Sequence, residues 1–291
     1  MGININSKIL LSVASIAAAT ALIVGATVAF FSDTETSTGN TFTAGSLDLQ
    51  VDSQAHYDGL VCTPPNIPGG YTWQLPAPGG STTRPELIGQ PCEGTWSQAD
   101  IGTRKFFSLT DIKPGDSGED TVSLHVIDND AWGRFVISQV TPTPDNDLRN
   151  ALLFNVWIDQ GNVDGFQCGA TPKCSGDPEE GDNVQGANEQ TLISQGTLDL
   201  SGESHNIYDG LIAAYTLNGC TGDGGNITPL TCPGLAPDGR MIGSTTYYFG
   251  IAWELPGITG NQVQGDSLSA TMEFQVVQAR NNPAKEGFPT I

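Results

Sequence analysis

Along much of this chain apolar residues recur at every second position, the period of a strand with one face buried and the other wet. The pattern is cleanest in SLSATMEFQVV (267–277), where Leu268, Ala270, Met272, Phe274 and Val276 share one face and Ser269, Thr271, Glu273 and Gln275 the other. The same alternation runs through 41–51, 119–128, 133–140, 152–159 and 245–255, and more weakly through RKFFSL (104–109) and IYDGLIAAYTL (207–217). Short segments rich in β-branched and aromatic residues predict an all-β fold, a jelly-roll-like two-sheet β-sandwich over residues 41–291. Three stretches, 52–103, 160–190 and 218–243, break the pattern and read as loop insertions on that core. DIKPGD (111–116), with Pro followed by Gly, reads as a tight turn between strands.

One segment obeys neither rule. Residues 9–31 form an uncharged apolar run behind Lys8 that stops at SDTETSTGNT, with small residues Thr27, Val28 and Ala29 near its end. This is the layout of a signal peptide, a helix over residues 1–29 cut between Ala29 and Phe30, and it predicts a secreted product, extracellular or at the cell surface. The competing reading is an uncleaved membrane anchor, since about 20 apolar residues cross a bilayer as a helix. Residues 30–40, FFSDTETSTGN, begin with two Phe and contain no Pro. They read either as an arm able to lie extended along a sheet edge, with Phe30 and Phe31 in pockets, or as a polar leader.

Charge narrows the partners. Downstream of residue 29 the chain has 10 Lys plus Arg against 32 Asp plus Glu, a formal charge of -22. Such a surface repels phosphate backbones and anionic lipids, so neither nucleic acid nor an acidic membrane surface is expected as a partner. Gly and Pro are abundant, which argues against a helical bundle. All six Cys (Cys62, Cys92, Cys168, Cys174, Cys220 and Cys232) lie beyond the export segment, two in each insertion, favouring local disulfides: 62 with 92, 168 with 174, 220 with 232.

Candidate chemistry is sparse. The acidic stretch after LLFNVWID carries oxygen ligands of the kind calcium takes, foremost Asp159, Asp182, Asn183 and Glu189, although its spacing only approximates a calcium loop; a solvated acidic loop is the competing reading. No other cofactor is expected. There is no H-E-x-x-H, the three His (His56, His125 and His205) are far apart in sequence, and neither a G-x-S-x-G elbow nor a phosphate-binding loop occurs. No catalytic residue and no enzyme are therefore expected. Tyr71, Trp73 and Trp96 sit in the first insertion, where they either pack a small satellite core or offer aromatic faces to sugar. Asn226 in NIT is a glycosylation triplet.

Three blocks together resemble the TasA/camelysin (CalY) family of exported proteins: GATVAFFSDTETSTGNTFTAGSLDL (25–49), LTDIKPGDSGEDTVSLHVIDND (109–130) and YYFGIAWELPGITGNQVQGDSLSATMEFQVVQARNN (247–282). The resemblance implies processing by a SipW-type signal peptidase and a jelly-roll subunit that polymerises head to tail into fibres of a biofilm matrix. It also implies that the segment 30–40, led by Phe30 and Phe31, completes the sheet of a neighbouring copy by donor-strand exchange. Camelysin has been classed as a metallopeptidase, which this chain's residues do not favour. The other reading left open is a monomeric module that grips glycan or a cation through its insertions.

Overall fold

The computed structural model describes residues 47–64, 70–76, 79–166, 177, 179–225 and 228–289. Its strands are β1 (Leu47–Tyr57), β2 (Leu60–Thr63), β3 (Thr72–Gln74), β4 (Trp96–Ala99), β5 (Ser117–Asp128), β6 (Ala131–Thr143), β7 (Leu153–Ile158), β8 (Thr191–Gly196), β9 (Glu203–Asn206), β10 (Thr245–Glu254) and β11 (Ser267–Gln278). Two helices join them, α1 (Asp147–Ala151) and α2 (Ile207–Leu217). The result is a mostly β chain with two antiparallel sheets. The larger, eight-stranded sheet runs β3-β2-β1-β5-β10-β7-β8, with β4 also paired to β1; the smaller has three strands in the order β11-β6-β9.

Alternation decides which face of each strand is dry. On β5, Val122, Leu124 and Val126 are buried inward while His125 and Ile127 point outward, and β1 and β10 pair with it on either side through long unbroken registers. The sheets meet through aromatic rings: Phe274 of β11 lies 4.8 Å from Phe135 of β6 and 5.6 Å from Phe249 of β10, centroid to centroid. Phe106, which belongs to no strand, closes the same cluster at 6.0 Å from Phe274. On the outward face Trp157 lies flat over Gly250, where an added Cβ would come within 1.9 Å of the indole; only glycine permits that contact.

Several expectations are corrected. IYDGLIAAYTL is the helix α2: its buried residues Ile207, Gly210, Leu211 and Ala214 fall at helical spacing, and that stripe packs on the sandwich. RKFFSL forms no strand; it is a loop that sends Phe106 inward. The stretch 52–103 supplies the end of β1 and all of β2, β3 and β4, so much of it is sheet. Two short strands, β8 and β9, arise where no alternation was expected.

The cysteines tie these additions down. Cys62 of β2 is bridged to Cys92, whose backbone N–H donates to Tyr71 O, and Cys220 to Cys232 just beyond α2. Cys168 and Cys174 lie outside the described residues, as does Asn226. Trp73 and Trp96 are core residues: Trp73 packs 5.9 Å from Tyr57, and Trp96 packs 5.3 Å from Phe106 while donating its indole N–H to Val51 O.

Candidate assembly surface

The smaller sheet ends on β11, and among the described residues β11 pairs only with β6. An antiparallel strand turns its backbone groups alternately to either side, so about half of the N–H and C=O groups along β11 face away from β6. Exposed edges of this kind are ordinarily blunted by Pro, Lys, shortness or a covering element. SLSATMEFQVVQ has twelve residues, no Pro, no Lys and one charge, Glu273. Its one irregularity is a register shift between Ser269 and Thr271.

Burial falls off toward this edge. Phe135 and Ile137 of β6 are fully buried, whereas across the ladder Met272, the partner of Ile137, is only partly covered. Leu268, Ala270 and Val276 of β11 are in the same state, and so are Leu47 and Leu49 on β1. A row of apolar side chains aimed inward yet incompletely covered is what a sandwich layer short of one strand looks like.

The other residues singled out in the sequence fall elsewhere. Ala29, Phe30, Phe31 and the whole segment 30–40 lie outside the described residues. The four oxygen-bearing residues of the acidic stretch fall into two groups. Asp159 accepts the N–H of Gly181 at 2.8 Å, and Glu189 accepts those of Gly161 at 2.9 Å and Gly186 at 2.6 Å, so this pair pins the loop to the end of β7. Asp182 turns to its own loop, accepting Val184 N–H, while Asn183 reaches the outward face of the sheet and meets His56 Nε2 at 3.1 Å. Burial, and after it the charge of Glu189, push Asp159 up to about 8; burial likewise raises Glu189.

The histidines are as scattered in space as in sequence. His125 Nε2 lies 2.6 Å from Asp52, His205 Nε2 2.6 Å from Glu203, and His56 Nδ1 3.3 Å from Glu119. Among the described residues no group of three or more His, Cys, Asp or Glu is arranged to hold a metal ion. No helix among them is long and apolar enough to cross a membrane.

Residues 4–59 match the family model described as camelysin metallo-endopeptidase. The TasA/camelysin resemblance read from the sequence is thereby supported at the N-terminal end of the chain. The match ends just past β1, so camelysin likeness covers the apolar run 9–31, the segment 30–40 and the first strand of the larger sheet. No curated protein matches the chain. Sequence reading found the residues of β11 but missed its isolation, because which strand is absent beside another is not written in either one's pattern.

Proposed function

We propose that this chain is a structural subunit of an extracellular fibre or biofilm matrix. After a SipW-type signal peptidase removes residues 1–29, the arm beginning Phe30-Phe31 adds as a strand to β11 of the next copy, and repetition of that contact gives a head-to-tail homopolymer. The observation that carries this reading is the long, unblunted edge of β11 with its partly covered row Leu268, Ala270, Met272 and Val276. Strand addition satisfies the outward backbone groups of β11 and covers that row in one step, and a heterologous contact of this kind propagates without closing. Camelysin likeness supports a surface or extracellular role at the level of the family.

The test is a charge in the uncovered row. Met272→Asp leaves the ladder to β6 intact and sets a carboxylate where the donor strand would pack, so fibre mass recovered by sedimentation should fall at least tenfold while the melting temperature of the soluble protein drops by only a few degrees. Normal fibre yield from Met272→Asp would refute β11 as the acceptor.

A further inference from the structure

On the outward face of the larger sheet, near the turn from β1 to β2, a cleft of about 440 Å³ crosses five neighbouring strands. His56 of β1, Glu119 of β5, Ala252 of β10, Asn155 of β7 and Gln195 of β8 line it. Register sets the first four in a straight row, His56 opposite Glu119, Glu119 opposite Ala252, and Ala252 opposite Asn155. Four interstrand steps make a groove on the order of 19 Å long, enough for several units of a linear oligomer.

Part of the polar capacity in this groove is left unspent. Asn183 Oδ1 has no hydrogen-bond partner, while Glu119, only 8 % exposed, sets its Oε2 3.3 Å from His56 Nδ1. With Asn183 Nδ2 as donor, His56 Nε2 accepts, which leaves the ring proton on Nδ1. Burial holds the Glu119 carboxyl well above its usual range and takes His56 down to about 4, so the imidazole is uncharged at neutral pH. No Lys or Arg lines the cleft, while Asp58, Asp182 and Glu254 do, and an anion is repelled. The amides of Asn155, Asn183 and Gln195 with these carboxylates, flanked by the apolar Leu153 and Val184, match hydroxyl groups on a chain with alternating polar and C–H faces.

We infer that this groove binds a linear, uncharged, hydroxyl-rich polymer, a neutral polysaccharide, whose hydroxyls take the open position of Asn183. The site stands apart from the fibre reading: it uses the outward face of the larger sheet, whereas β11 belongs to the smaller one. Isothermal titration calorimetry of the purified protein against cellohexaose, maltohexaose and chitohexaose tests it, with a hexamer of glucosamine and calcium chloride as charged probes. At least one neutral hexamer should saturate the protein. Asn183→Ala should weaken that binding at least tenfold, and Ala252→Trp, which fills the groove floor, should abolish it, with either variant's melting curve confirming the fold. No heat from any neutral hexamer at millimolar concentration, heat from a charged probe alone, or undiminished binding in both folded variants would overturn the assignment. Fibre assembly by a protein that binds no hexamer would reject the groove and leave the fibre reading intact.

Discussion

A carboxyl buried among strands and turns weighs on the fold only when it ionises. Asp159 is pushed up to about 8, and burial raises Glu119, Asp120 and Glu189 in the same direction. The folded chain therefore keeps protons that the unfolded chain has released, and stability falls as pH rises above about 4, the part due to Asp159 being lost by about pH 8. His56, lowered from 6.5 to about 4 by burial, acts the other way between those two values, one group against four. Asp159→Asn keeps an oxygen for the Gly181 N–H and removes the ionisation. It should raise the melting temperature at pH 8.5 by roughly 4–8 °C, on the order of 2 kcal/mol, and change it little at pH 4. Thermal melts at the two pH values check this; equal shifts at both would contradict it.

Elements were legible in proportion to how different their two faces are. β5, β10 and β11 alternate apolar with polar residues along the chain, and that alternation announced them. In IYDGLIAAYTL, Ile207, Leu211 and Ala214 lie on one helical stripe, but Leu211 and Ala213 also fit a strand period, and length with two adjacent Ala was the better guide. ESHN of β9 has no apolar residue to alternate and is ordered by its ladder to β6. β2 and β3 were hidden because a disulfide and the neighbouring strand, more than their own patterning, hold them in place. Replacing Cys62 and Cys92 together by Ser frees a loop with a sequence separation of 30 and should cost about 3–4 kcal/mol of unfolding free energy in urea titration. A loss below about 1 kcal/mol would mean the ribbon is held by packing alone. The groove across β1, β5, β10, β7 and β8 was least legible of all: His56 and Asn183 are 127 residues apart, and no local signal joins them.

The molecule as a whole is strongly acidic, with a formal charge of -21 over 291 residues. Copies in free solution repel one another, and association needs a contact that main-chain hydrogen bonds and apolar burial can drive against that charge. In the proposed fibre, side-by-side bundling would be governed by screening, with a Debye length of about 30 Å at 0.01 M salt and about 8 Å at 0.15 M. Bundles should loosen into single filaments at low salt while the filaments themselves persist, as seen by electron microscopy across a salt series; bundling indifferent to ionic strength would contradict this.

The central claim is that a freed N-terminal arm joins one copy to the edge of the next. Electron microscopy of purified protein beginning at Phe30, beside the same protein beginning at Thr41, tests it most directly. The account predicts long filaments from the first and discrete particles from the second at the same concentration. Filaments of equal yield from both, or particles alone from the chain that begins at Phe30, would contradict it.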